Sequence, residues 1–265
     1  VIYVSLPAMI FLQIPQLKFS EDTMIPVVVS WGVIIVSAFL VFFISRFMNF
    51  SKEVTGSLMF VTVLTNSSFL GIPIVGAFMG EGSYPYILVY DQLGTFLALA
   101  TYGTIIGAYY SNDGQISLKI ISLKVLTFPP FVSLVIALSL SGIVWNETIK
   151  NVLEILSATI VPFALISVGL QLYFKLPKDD MKPFSISLFI QLIIAPLIAI
   201  GICYIFGWTG FIAQISILEA GMAPMITAAA MASLLGLAPR LSNAIVGYGI
   251  LFSFMTSWIL FNLIV

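Results

Sequence analysis

Long apolar runs, separated by short polar stretches, recur along the whole chain. A helix needs about 20 apolar residues to cross a bilayer. Runs such as VIIVSAFLVFFI lack the apolar/polar alternation of a membrane barrel strand, so the crossings are helices. With charges and Gly/Pro/Asn clusters as boundaries, the pattern predicts nine crossing helices, at about residues 2–15, 24–46, 56–80, 84–110, 128–144, 149–173, 183–207, 211–236 and 241–264.

Composition agrees with this class. Of 265 residues, 60% are hydrophobic and 8% are charged, and the mean hydropathy is +1.15, whereas soluble domains carry about 25% charged residues. We therefore expect an all-α polytopic protein of a cell membrane, of prokaryotic inner-membrane type, with residues 1–265 forming one transmembrane domain. The chain has no histidine, which excludes histidine-based catalysis and metal ligation. No basic cluster suggests nucleic acid, and we expect neither an enzyme nor a cofactor.

The basic residues predict the orientation of the chain. Cytoplasmic loops of membrane proteins carry an excess of Lys and Arg. One set of alternate loops holds two basic residues, Lys18 and Lys150, and the other set holds eight: Arg46, Lys52, Lys119, Lys124, Lys175, Lys178, Lys182 and Arg240. The second set is therefore predicted to be cytoplasmic, which places Val1 on the cytoplasmic side and Val265 outside. Residues 115–126, QISLKIISLKVL, are predicted to lie along the interface.

Two crossings contain helix breakers and polar residues in their middles. They are NSSFLGIPIVGAFMG around Pro73 and EAGMAPMITAAAMASLLG around Pro224. Each follows a proline-bearing crossing at nearly the same distance, 66 positions from Pro7 to Pro73 and 62 from Pro162 to Pro224. Paired interrupted helices in two halves of a chain point to the binding site of a secondary transporter.

These landmarks divide the chain into a first repeat, residues 1–111, and a second repeat, residues 112–265. The chain opens inside an apolar run, so we expect the first repeat to lack its first helix. With that helix restored, each repeat has five crossings, and the odd number inverts one repeat relative to the other. The prediction is a ten-helix fold of inverted five-helix repeats with two broken helices that meet.

Broken backbone at membrane depth is tolerated where it is buried in protein or lines a cavity. Half-helix N-termini there supply partial positive charge to an anion. Since no Lys or Arg lies in the middle of a predicted crossing, an organic anion must be held by such N-termini and by polar side chains. The predicted substrate-binding residues are Asn66, Ser67, Ser68, Gly71, Pro73, Met222, Pro224 and Thr227. For Ser67, Ser68 and Thr227, simple helix-to-helix hydrogen bonding is an equally open interpretation.

Two carboxyl groups, those of Asp91 and Glu219, lie inside predicted crossings, and the other nine Asp and Glu residues lie in loops or near helix ends. Carboxylates inside a membrane are costly and are usually functional. Glu219, five residues before Pro224, is the first candidate for an ion-coupling site. It would bind Na+ together with backbone carbonyls released at the break, or carry a proton. Asp91 is the second candidate, and a purely structural role for it stays open.

Several motifs resemble one known family. TNSSFLGIPIVGAFMGEGSYPYILVYD resembles the N-x-x-x-x-G-I-P stretch and the following Y-D of the auxin efflux carrier family, and LEAGMAPMITAAAMA is similar to its second crossover segment. YVSLPAMIF and VPFALISVGLQL are similar to its second and seventh helices. The short loop between the halves resembles that of bacterial members.

The resemblance implies the ten-helix fold that this family shares with bile acid:sodium symporters, in which a transport domain moves against a scaffold domain. It assigns residues 24–110 and 183–264 to transport-type helices, and the scaffold-type helices to about 2–15, 128–144 and 149–173. Asn66 and Pro73 would lie in the first crossover and Pro224 in the second, where family members bind small organic acids. EAGM, which begins at Glu219, is similar to the sodium-ligating stretch of the symporters.

The predicted function is secondary active transport of small organic anions, namely carboxylates, by an elevator-like alternating-access mechanism coupled to Na+ or H+. The sequence leaves a homodimer open. A channel or a receptor is the alternative, and an intramembrane hydrolase is less well supported. Tyr90-Asp91 matches the first motif of intramembrane aspartyl proteases, but the second, Gly-x-Gly-Asp, is missing. A serine protease would need a histidine partner for its nucleophile.

Overall fold

The structure of the chain is a computed structural model that describes residues 1–17, 20–111, 126–170 and 180–265. Almost all of the predicted interfacial segment lies outside these residues. The same is true of several basic residues of the orientation count: Lys18, Lys119, Lys124, Lys175 and Lys178.

The described chain is helical throughout and contains no β-strand. Its α-helices are α1 Ser5–Gln13, α2 Ile25–Phe47, α3 Lys52–Val61, α4 Ile72–Met79, α5 Tyr84–Val89, α6 Leu97–Ala100, α7 Tyr102–Tyr110, α8 Pro129–Ser139, α9 Glu147–Ala158, α10 Ile160–Leu170, α11 Met181–Phe189, α12 Ala195–Phe206, α13 Phe211–Ala220, α14 Ile226–Leu234 and α15 Pro239–Ile264. The described residues also contain three π-helical turns: Ser67–Gly71 leads into α4, Tyr90–Phe96 joins α5 to α6, and Ile190–Ile194 joins α11 to α12.

In the described part of the chain, four helical stretches are long and apolar enough to cross a membrane. They are Glu21–Phe47, Glu147–Leu170, Met181–Phe206 and Pro239–Ile264. The other five predicted crossings consist of shorter or interrupted helices. The chain is therefore an all-helical, multi-pass type of membrane protein.

Two predicted crossings differ from a single regular α-helix. The crossing at 128–144 is α-helical over Pro129–Ser139. The turn that follows contains Gly142, which has a φ of 80° and donates its N–H to the Pro15 carbonyl oxygen. Glycine adopts a positive φ without steric cost, and such a residue cannot continue a right-handed helix. In the crossing at 84–110 a π-helical turn occupies Tyr90–Phe96, and the helix is interrupted again at Thr101.

The packing of the helices leaves one set of side chains buried in a core and another set exposed on the lipid-facing surface. Helix α1 packs against α8 and α9, while α2 packs against α12 and α13. Along α2, Val29 and Val33 are buried, whereas Phe39, Phe43 and Phe47 are exposed. The phenylalanines are spaced by four residues, so they share one face of the helix. Association inside a bilayer depends on close packing rather than on the hydrophobic effect, since lipid tails are as apolar as these side chains.

Candidate functional site

The two interrupted crossings meet. Helix α3 ends at Val61 and the next helical turn begins at Ser67; residues 62–66 are the first interruption. Helix α13 ends at Ala220 and α14 begins at Ile226; residues 221–225 are the second interruption.

A short antiparallel bridge joins the two interruptions at Thr65 and Pro224. The Asn66 N–H donates to the Ala223 carbonyl oxygen at 2.8 Å, and the Met225 N–H donates to the Leu64 carbonyl oxygen at 2.9 Å. Buried backbone polar groups need partners. The backbone of each interruption is no longer helical and lacks the hydrogen bonds of a helix. The bridge therefore lets each interruption make backbone hydrogen bonds with the other.

The two prolines occupy different positions relative to the breaks. Pro224 lies in the second interruption, as predicted. Pro73 lies inside the helix over 67–79, seven residues after Asn66 and two residues after the π-helical turn Ser67–Gly71. The first break ends instead at Asn66, whose side-chain Oδ1 accepts a hydrogen bond from the Phe69 N–H at 3.3 Å and so caps the helix.

Two helix N-termini face one cavity of about 240 Å³, which we call the interruption cavity. Asn66 and Ser68 begin the helix over 67–79, and Met225 and Thr227 begin α14. The rest of the lining is Ile2, Leu6, Phe69, Asp91, Phe96, Leu99 and Phe128. Helix N-termini present free N–H groups and partial positive charge, which favour anions. The Asn66 Nδ2 is buried and has no hydrogen-bond partner among the described residues.

The predicted site residues separate into two groups. Asn66, Ser68, Thr227 and Asp91 line the interruption cavity. The others are not part of its lining: Ser67, Gly71, Pro73, Met222, Pro224 and Glu219. A residue can therefore belong to an interrupted segment without lining the cavity.

Both oxygens of the Asp91 carboxylate accept hydrogen bonds from neighbouring side chains. Its Oδ1 accepts hydrogen bonds from the Ser67 and Ser68 hydroxyls at 2.6 and 2.5 Å, and its Oδ2 accepts one from the Gln92 Nε2 at 2.6 Å. The Ser67 hydroxyl also lies 3.1 Å from the Thr95 hydroxyl oxygen. Asp91 and Thr95 belong to the π-helical turn Tyr90–Phe96, and such turns often occur at functional sites. These contacts tie this turn to the π-helical turn Ser67–Gly71, which follows the first interruption.

Glu219 is fully buried near the end of α13, and its carboxylate lies against the backbone of Gly71. A Cβ added at Gly71 would overlap that carboxylate, so only glycine leaves room for it. Neither carboxylate oxygen has a hydrogen-bond partner within the described ranges. The group is close enough to Asp91 and Tyr90 to interact with them electrostatically. Because an unpaired buried charge is costly, this position suits a group that brings positive charge, such as Na+ or a proton.

Two features of the site were missed at the sequence level. The Gln191 Nε2 donates to the Met222 carbonyl oxygen at 3.0 Å and so holds the second interruption. Its position in the apolar run LFIQLIIAP was a usable signal, since polar side chains inside a membrane are rarely without a role. The rings of Phe96 and Phe128 stack at 4.0 Å between centroids in the cavity wall. Nothing in the local sequence indicated that pairing, because it joins distant segments.

The helical architecture, with stretches long and apolar enough to cross a membrane, defines a polytopic membrane protein. The chain belongs to the auxin efflux carrier family: the family model described as "Membrane transport protein" matches residues 1–261. The chain is 25% identical over 240 residues to an uncharacterized transporter of Methanothermobacter thermautotrophicus, covering 88% of this chain and 76% of that protein. It is 26% identical to the uncharacterized transporter MJ1031 of Methanocaldococcus jannaschii, covering 99% and 88%. These comparisons point to membrane transport.

Proposed function

We propose that this protein is a secondary active transporter of small organic anions, namely carboxylates, that works by elevator-like alternating access. The observation that carries the proposal is the convergence of two half-helix N-termini on the interruption cavity. An anion held there would accept hydrogen bonds from free backbone N–H groups, from the Asn66 amide and from the Thr227 hydroxyl. No Lys or Arg among the described residues lines the cavity, so these groups would supply the recognition.

The lining also favours one class of carboxylate. Apart from Asn66, Ser68, Asp91 and Thr227, the walls are aliphatic, aromatic or thioether side chains. A substrate with one carboxylate and a compact apolar body would satisfy both ends of the cavity. A second carboxylate on the substrate would come near Asp91 or lie against apolar walls, and either placement is unfavourable.

Glu219 and Asp91 are the proposed coupling groups for Na+ or H+. A cation beside Glu219 would offset the free-energy cost of burying its unpartnered carboxylate. It would also lie close to Gly71, the last residue of the π-helical turn that begins with Ser67. Asp91 reaches the same turn through the hydroxyls of Ser67 and Ser68. An ion that orders this turn would also order Asn66 beside it. Ion and substrate would then raise each other's affinity, because such coupling is reciprocal.

The proposed architecture is two inverted repeats, residues 1–111 and 112–265, whose broken helices cross. The antiparallel bridge between Thr65 and Pro224 supports it, since Thr65 adjoins the interrupted segment of the first repeat and Pro224 belongs to that of the second. A contact between the two earlier proline-bearing crossings also supports it. The Ser5 and Thr159 hydroxyl oxygens, two and three residues before Pro7 and Pro162, lie 2.7 Å apart.

Uptake into proteoliposomes tests the proposal. Purified protein would be screened by thermal shift against small mono- and dicarboxylates, with and without Na+ and across pH, and the stabilising acids would be used as labelled substrates. We expect saturable uptake of monocarboxylates that a Na+ or pH gradient accelerates. Flux that rises linearly with substrate concentration, without dependence on either gradient, would instead indicate a channel.

A further inference from the structure

A second cavity, of about 510 Å³, lies near the other end of α1, and we call it the outer cleft. Its polar lining includes Gln13, Glu81, Lys150 and Glu154. Lys150 and Glu154 form an ion pair at 3.5 Å, and both side chains are about half exposed. The outer cleft is therefore a hydrated, charged space, unlike the largely apolar interruption cavity.

The two cavities share one face of α1. Leu6 lines the interruption cavity, whereas Met9 and Gln13 line the outer cleft. Residues spaced by three and four positions lie on the same face of an α-helix. Leu6 and Met9 are about one helical turn apart. A single turn of α1 thus separates the two cavities on this side.

The cavities also lie toward opposite predicted sides of the membrane. Ile2 and Phe128, which line the interruption cavity, belong to helix ends that the distribution of Lys and Arg predicts to be cytoplasmic. Gln13, Glu81 and Lys150, which line the outer cleft, belong to ends and loops predicted to be outside. The two cavities thus lie toward opposite predicted sides of the membrane, which is the arrangement that alternating access requires.

The helix over 67–79 also runs from the interruption cavity toward the outer cleft. It begins with Ser68 and Phe69 at the interruption cavity and reaches Gly76 after eight residues, or about 12 Å. There the ring of Tyr84, which lines the outer cleft, packs on Gly76. A Cβ added at Gly76 would lie 2.6 Å from the Tyr84 Cε1 and 3.1 Å from its hydroxyl oxygen. The ring can occupy this place because residue 76 has no side chain.

We propose that the outer cleft is the external mouth of the transport path and that the ring of Tyr84, packed on Gly76, closes it in this conformation. This inference rests on the proposed transport function. When the ring leaves Gly76, the outer cleft connects with the interruption cavity along the helix over 67–79. Tyr84 is then a gating residue, and Gly76 determines how firmly the gate closes.

External labelling of a cysteine in the interruption cavity tests the gate. Thr227→Cys in a Cys203→Ser background is exposed to a membrane-impermeant thiol reagent added to the outside of right-side-out vesicles. Gly76→Ala displaces the ring, so we expect the labelling rate to rise several-fold, and Tyr84→Ala gives the same result without adding a side chain. Tyr84→Phe keeps the ring and leaves the rate unchanged.

A matched control separates the gate from a general loosening of the helices. Gly32→Ala adds a Cβ that would lie 2.6 Å from the Ile202 Cδ1, as close as the contact at Gly76 but between α2 and α12. We expect it to leave external labelling unchanged. The proposal that Tyr84 is a gate would be wrong if Gly32→Ala raised the labelling rate as much as Gly76→Ala does. It would also be wrong if a folded Tyr84→Ala protein were labelled at the wild-type rate.

The labelling experiment needs no transported substrate, so it distinguishes the two proposals. Faster labelling together with no carboxylate uptake by the wild-type protein would leave the gate standing and reject the proposed substrate. Normal uptake together with unchanged labelling would reject the gate and leave the proposed function standing. Elution as a single peak in size-exclusion chromatography checks that each variant is folded.

Discussion

The backbone N–H of Asn66 donates a 2.8 Å hydrogen bond to the carbonyl oxygen of Ala223, a residue 157 positions later in the chain. Through this bond the interruption of one helix stabilises the interruption of the other. The side chain of Asn66 caps the helix that follows and lines the cavity between the two helix N-termini. The backbone hydrogen bond, the helix cap and the proposed recognition of the substrate therefore involve the same residue.

Asn66→Ala should raise the apparent KM for a transported monocarboxylate about 10- to 100-fold, because a hydrogen bond to a charged group contributes about 1.5–3 kcal/mol. The measurement is concentration-dependent uptake into proteoliposomes. Asn146→Ala is the control: Asn146 caps α9 by accepting from the Ile149 N–H at 2.8 Å, and it does not line the cavity. Both variants lose a cap, at about 1 kcal/mol. Equal changes in KM would show that capping alone explains the effect.

Glu219→Gln should abolish the acceleration of uptake by a Na+ or pH gradient while leaving the fold intact, because the amide has nearly the same shape but carries no charge. Uptake is compared with each gradient present and absent. Glu147→Gln removes a carboxylate from the exposed first turn of α9 and should keep full coupling. Retention of the complete Na+ and pH dependence by Glu219→Gln would contradict the assignment.

Gly71→Ala should impair ion coupling and lower stability by about 1–3 kcal/mol, the usual cost of overpacking a closed site. The added Cβ would overlap the Glu219 carboxylate and displace it. Thermal unfolding with and without Na+ gives both quantities. Gly201→Ala in α12 adds a methyl group where nothing lies within 4 Å, so it should be close to neutral. A Gly71→Ala protein with normal stability and normal Na+ response would show that the space beside Glu219 is not restricted.

Gln191→Leu should lower stability by about 1–3 kcal/mol, because the buried Met222 carbonyl loses its side-chain donor. It should also weaken the dependence of uptake on the coupling ion, since the second interruption begins two residues after Glu219. Gln214→Leu is the matched control, because the Gln214 Nε2 also donates to a backbone carbonyl, that of Ile264, at 2.7 Å. If both variants lose stability and neither changes the ion response, Gln191 has only a structural role.

The sequence predicted the helical class and the positions of most helices well, because helix length is set by the thickness of the bilayer and appears directly as apolar run length. The predicted crossing at 24–46, for example, corresponds to Ile25–Phe47. It also identified two interrupted segments from their Gly, Pro and polar residues. It did not show that the helix after the first break begins with a π-helical turn, Ser67–Gly71, upstream of Pro73. Such turns have no simple sequence signature.

What the sequence determined by itself was an apolar, helical, multi-pass chain with two breaks and two carboxyl groups inside its crossings, since these properties depend on local composition and spacing. The tertiary structure alone decided that Thr65 meets Pro224, that Asp91 is held by three donors, and that Glu219 rests on Gly71. Each of these contacts joins residues more than 20 positions apart, apart from the bond from Gln92 to Asp91. Their partners are chosen by packing and by the need of buried polar groups for hydrogen bonds, which only the assembled helices can satisfy.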